Sequence, residues 1–116
     1  MFREWHWRDF QEKLFCKWIN AKFQSKNYPT IVSLVGGLSN GVALIHLLEI
    51  VDNTSLGRYN HNPRLRIQKI DNINIALQYI VSKEIQITNI GPEDIADGNH
   101  KLTLALVWIL ILRLER

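Results

Sequence analysis

The sequence is poor in the residues that build covalent or metal frameworks: 116 residues include one cysteine, Cys16, one methionine and three prolines. A single thiol can neither close an internal disulfide nor build a zinc site alone, which points to a reducing compartment, the cytoplasm. The four histidines, His6, His46, His61 and His100, each stand alone, with no second histidine three or four positions away. No cofactor is implied. The opening MFREWHWRDF carries Arg3, Glu4, Arg8 and Asp9 where an export signal needs an unbroken apolar core. Phosphate-cradling loops are missing too, because Gly36-Gly37 has neither the spacing nor the following lysine of a P-loop. Without a low-complexity linker or an alignable repeat, a chain of this length reads as one domain with its own core.

What is there is apolar and mildly basic. Hydrophobic residues make up 47% and the formal charge is +3, a lean that favours an acidic partner and does not call for nucleic acid. The longest apolar run closes the chain in GNHKLTLALVWILILRLER, where only Thr103 is polar between Leu102 and Leu112. As a helix from Leu102 to Leu114 it is roughly 20 Å long, short of the ~30 Å of a bilayer core. No transmembrane segment is expected. The run also exceeds the usual ~5–6 residues of a strand, while Asn99 offers an N-cap to a helix without Gly or Pro from Lys101 to Arg116. A helix apolar on nearly every side is expected in the middle of the bundle, with Trp108 in the core at about 3–5 kcal/mol for truncation.

Three further helices precede it. The first is expected from about Trp7 to Gln24, with Phe10, Leu14, Trp18 and Ala21 sharing one face. The second follows Ser39-Asn40-Gly41, with Asn40 as N-cap, and ends at Asp52-Asn53. The third runs from about Arg66 to Ser82, with Ile70, Ile73, Leu77 and Ile80 on one side and Lys69, Asn72 and Lys83 off it. Gly91-Pro92-Glu93-Asp94 opens a short extra turn, and Thr30 to Val35 reads as a short helix or extended connector, having no second strand to pair with.

Two motifs bear on chemistry. Gly37-Leu38-Ser39-Asn40-Gly41 matches the nucleophile elbow G-x-S-x-G, for which Asp71 and His100 are the available acid and base. That elbow needs a parallel sheet behind it, and four helices leave no residues for one, so a serine hydrolase is the remote reading and a plain helix start the favoured one. Arg58, Arg64, Arg66 and Lys69 fall within twelve positions without an acid and could meet an acidic protein, a phosphoinositide head group or nucleic acid; the plain alternative is a solvated connector.

Three stretches together resemble the calponin-homology domain, in particular the first of the paired domains in the actin-binding heads of α-actinin, spectrin, dystrophin and filamin. FQEKLFCKWINAKF is similar to the family's opening helix and RLRIQKIDNINIALQYI to its third main helix. IGPEDIADGNHKLTLALVWILILRL follows I-G-x-x-D-I-x-D-G-N-x-K-x-T-L-x-L-x-W-x-x-I-L-R nearly position by position, with Asp94, Asp97, Gly98, Asn99, Lys101, Thr103, Leu104, Trp108, Leu112 and Arg113 in place. The sequence departs from the family at Gly37 and Asn40, where acids are usual; asparagine caps a helix about as well.

The resemblance implies an all-α calponin-homology fold over residues 1–116, with four main helices, short connecting helices and a central C-terminal helix. It further implies a non-enzymatic, cytoplasmic domain of an actin cross-linking protein, excised from a longer chain beside a second such domain. Carried over position by position, the actin-binding residues are Gln11, Lys13, Leu14, Lys17 and Asn20 on the first helix. On the last they are Lys101, Leu102, Thr103, Ala105, Ile109, Leu112 and Arg113. Phosphoinositide lipids are an expected further partner of Arg58, Arg64, Arg66 and Lys69. An adaptor domain for signalling or microtubule partners is the alternative. Trp18, Trp108, Leu104 and Ile111 are expected in the core rather than in a contact.

Overall fold

The computed structural model describes the backbone of residues 4–114 and the side chains of residues 8–114. The side chain of His6 and the closing Glu115-Arg116 lie outside that range. Six helices follow in order: α1 (Glu4–Ser25), α2 (Leu34–Leu38), α3 (Val42–Asp52), α4 (Arg66–Ser82), α5 (Pro92–Ala96) and α6 (His100–Leu114). Four are long and two short, and no strand occurs among the described residues.

Local chemistry explains the boundaries. Asn27 and Asn53 take the left-handed conformation that ends α1 and α3, a geometry asparagine tolerates better than most residues. The N-cap of α3 is Gly41, not Asn40 as expected; Asn40 Oδ1 accepts the Val42 N–H at 3.0 Å in the turn that leads into the helix. Gln68 Oε1 reaches back to the N–H groups of Arg64 and Leu65 at 2.8 and 3.0 Å and holds the start of α4. Asp94 Oδ2 does the same for Gly91 N–H at 2.9 Å, with Pro92 in the first turn where its missing N–H costs nothing. Asn99 Oδ1 accepts from Leu102 N–H at 3.0 Å and caps α6 as its sequence position predicts.

α3 contributes four side chains to the core, Leu44, Ile45, Leu47 and Leu48, all within 1% of full burial. Around them pack Ile73, Ala76, Leu77 and Ile80 of α4, Ile95 of α5 and Leu106, Val107 and Leu110 of α6. Each large one stabilises the fold by about 1.5–3 kcal/mol. The approach of α3 to α4 depends on Gly41. Its φ is +83°, and a Cβ there would sit 2.5 Å from Asn72 Cβ and 2.8 Å from the Ile73 backbone nitrogen.

Three further sequence expectations fail. α1 buries Phe15, Ile19 and Phe23, while Phe10 and Leu14, placed inward by periodicity, are 51% and 49% exposed and Ala21 is also outside. Both sets satisfy helical spacing, and contact with α3 and α6 selects the second. Asn72, expected off the packed side of α4, is 1% exposed. α6 packs against α1, α2 and α5 with Thr103, Leu106, Val107 and Leu110, but its open strip is wider than expected. Trp108 lies on that strip at 50% exposure, whereas Trp18, Leu104 and Ile111 are half-buried and pack against the core as expected. Trp108→Ala should therefore cost about 1–2 kcal/mol in denaturant unfolding, the worth of half a ring and its stacking, rather than the value for a core tryptophan.

Candidate functional site

The open strips of α1 and α6 face one another across a groove of about 620 Å³, lined by Arg8, Phe10, Gln11, Leu14, Lys101, Leu104, Ala105 and Trp108, with Phe15 at its base. Phe10 and Leu14 stand one helical turn apart, as do Leu104 and Trp108, so two i, i+4 pairs make its apolar walls. The Trp108 ring lies on Phe15 with centroids 6.0 Å apart and planes 14° from parallel. One face of the indole is thereby fixed to the core while half of it remains in water. His100 Nδ1 donates to Glu12 Oε1 at 2.6 Å and ties the first turn of α6 to the middle of α1. Arg8 and Lys101 are exposed beside the apolar walls.

The twelve residues expected to bind a filament are distributed over three recesses and the core. Gln11, Leu14, Lys101 and Ala105 share the groove. Lys13, Lys17 and Asn20 line a different recess with Cys16, Ile31 and Val32, and Ile109, Leu112 and Arg113 line a third with Glu84, Ile85 and Gln86. Leu102 is half-buried against the core. Thr103 is fully buried, which removes it from any surface. Asn20 is turned inward: its Oδ1 accepts the Ile31 N–H at 2.8 Å and its Nδ2 donates to Ile31 O at 2.9 Å, clamping the chain that leaves α1. Lys13 pairs with Asp9 at 3.5 Å. The groove residues absent from the expected set are Arg8, Phe10, Phe15, Leu104 and Trp108. Phe10, Leu104 and Trp108 stand at helical spacings that suit a core face equally well.

The basic cluster is also changed by folding. Arg66 donates through Nε and Nη2 to the two carboxylate oxygens of Asp97, both at 2.8 Å, so a residue 31 positions away supplies the acid missing from the local sequence. The hydrogen bonds and charge of Asp97 raise the Arg66 pKa, and the hydrogen bonds from Arg66 hold Asp97 below the usual carboxylate value. Arg58 and Arg64 are exposed and Lys69 is half-buried. Cys16 is a poor nucleophile: burial, then the charge of Glu12, raises its pKa, and its Sγ faces Ile31 O at 3.6 Å. Ser39 donates to Gly36 O at 3.1 Å on a turn between two helices, not between strand and helix, and His100 is engaged by Glu12. The elbow geometry is not formed.

A helical frame of this order, with the last apolar helix laid beside the first, agrees with the domain that the sequence resembles. Residues 9–116 match the family model of the calponin homology (CH) domain. The chain belongs to the calponin homology family. This calponin homology domain is 51% identical over 107 residues to alpha-actinin-like protein 1 of Schizosaccharomyces pombe, covering 92% of the chain and 17% of the relative. It is 40% identical over 104 residues to utrophin of Rattus norvegicus, covering 90% and 3%, and 38% identical over 107 residues to alpha-actinin of Dermatophagoides farinae, covering 92% and 12%. The chain thus spans less than a fifth of each of these relatives. No helix of the described residues is long and apolar enough to cross a membrane.

Proposed function

We propose that this calponin homology domain binds actin filaments through its α1–α6 face, as the first of two such domains in a cytoskeletal cross-linking protein. The observation that carries the reading is the groove: half-exposed Phe10, Leu14 and Trp108 form one apolar surface between cationic Arg8 and Lys101. Aromatic and aliphatic anchors with basic residues at their margin are the composition of an interface hot spot, and the cations select an acidic partner. The kinship with α-actinins and utrophin supports actin as that partner. A following calponin homology domain would cover the exposed half of Trp108 when no filament is bound. Arg113 and Leu112, at the far end of α6, extend the contact in this reading, while Lys13 and Lys17 supply its margin on α1.

Cosedimentation with actin filaments tests it, using the chain alone and the chain continued through its next domain. Both should pellet, the longer one at lower filament concentration, and both more weakly as salt is raised, since exposed charges are screened beyond ~10 Å at 0.1 M. Failure of both to pellet with actin overturns the reading, and pelleting with microtubules instead would install the adaptor role.

A further inference from the structure

A cluster of rings outside the groove fastens the connector between α3 and α4. His46 of α3 is at its centre. Its ring centroid lies 4.6 Å from that of Tyr28, in the segment after α1, and 6.4 Å from that of Phe23 on α1. Its Nε2 is 3.1 Å from the Tyr59 hydroxyl, and Tyr59 in turn lies 4.3 Å, centroid to centroid, from His61. One turn along α3, Glu49 accepts the Leu56 N–H at 2.9 Å. Residues 54–60 of the connector form no helix or strand. Their hold on the domain includes this ring cluster, the Glu49 contact and the hydrogen bond from Asn60 N–H to Asn72 Oδ1 at 3.0 Å.

We propose that His46 is a proton-sensitive latch: protonation of its ring releases the 56–61 stretch from α3 while the helical body stays folded. The neutral imidazole suits a site walled by Phe23, Tyr28 and Tyr59. A cation there gives up water, and that loss outweighs the attraction of Glu49. The charged and titratable groups around it are few. Glu49 on its own helix favours the cation, whereas His61 on the connector opposes it; the Tyr28 and Tyr59 rings face it as well, and burial raises the Tyr59 pKa. Lys26, beside Tyr28 and Glu49 in the adjoining recess, is a further positive charge on that side.

Burial lowers the His46 pKa below the ordinary 6.5; Glu49 raises it in part and His61 lowers it further. The sign follows from linkage. An opened connector leaves His46 with its ordinary affinity for protons, so the open form binds more of them and gains as pH falls below about 6.5. Well above that value protonation gives the open form no advantage. Arg58 lies on the freed stretch, so acidification changes how that charge is presented.

Residue-resolved hydrogen exchange on the protein at about pH 7.5 and about pH 5.5, corrected for intrinsic rates, tests the latch. The Leu56 and Asn60 amides should lose protection on acidification by up to about tenfold, the limit set by the one unit between about pH 5.5 and the ordinary histidine value, with Ile73 to Ile80 in α4 unchanged. His46→Phe keeps a ring against Tyr28 and cannot take a proton, so it should abolish the difference. His46→Gln, neutral and able to bond Tyr59, should do the same and serves if the phenylalanine variant does not fold. Equal protection at both pH values, a pH dependence that survives in the variants, or parallel loss across α4 overturns the proposal.

Discussion

Asn72→Ala lowers the unfolding free energy of the domain by about 2–4 kcal/mol and its thermal midpoint by roughly 10–20 °C. The side chain is 1% exposed, and every polar atom on it is used. Nδ2 donates to Asn60 O at 2.8 Å and to Asn40 O at 3.2 Å, while Oδ1 accepts the Asn60 N–H at 3.0 Å. Alanine leaves a void where α3, α4 and the connector meet and strands three backbone groups, each costing about 1–3 kcal/mol if water cannot reach it. Partial access at exposed Asn60 keeps the total below the simple sum. Against a stability of ~5–15 kcal/mol for a domain of this kind, the loss is large. Asn72→Asp keeps the acceptor but sets a charge against two carbonyl oxygens, and should be no milder. Urea unfolding checks both, and a change under about 1 kcal/mol for alanine would mean that the junction is wetter than its geometry implies.

If the α1–α6 face is the proposed actin contact, Leu14→Asp should weaken cosedimentation with filaments by at least about thirtyfold, the threshold of an interface hot spot, with little effect on folding. The position is 49% exposed on the groove wall, so an aspartate is tolerated in the free domain. Against an acidic partner it removes an apolar anchor and adds a like charge. Gln78→Asp makes the same charge change on the exposed face of α4 and should leave binding nearly unaltered. The reverse order of effects in cosedimentation would move the contact away from the α1–α6 face.

Much of this domain was legible from sequence, and the parts that were not share a cause. α4 begins and ends where its apolar stripe does, and Asn99 caps α6, because such boundaries are decided within a few residues. The all-helical frame with four long and two short helices follows from those boundaries. The inward face of α1 could not be decided in the same way. Phe10 and Leu14 recur at the same spacing as Phe15, Ile19 and Phe23, and only the neighbouring helices distinguish the two rows. Asn72 was read as a surface residue since nothing nearby in the chain needs its amide, whereas its partners are 12 and 32 positions away. The same blindness hid Asp97 from the count around Arg66. Polar residues satisfied at long range are the ones that pattern alone misplaces.

Glu12 and His100 touch although 88 positions separate them in the chain. Any ligand that grips both of their helices joins the two extremes of the fold and forbids the excursions an unravelled polypeptide would otherwise make. Attachment then behaves as a removable staple, strengthening the module under tension for as long as its grip lasts.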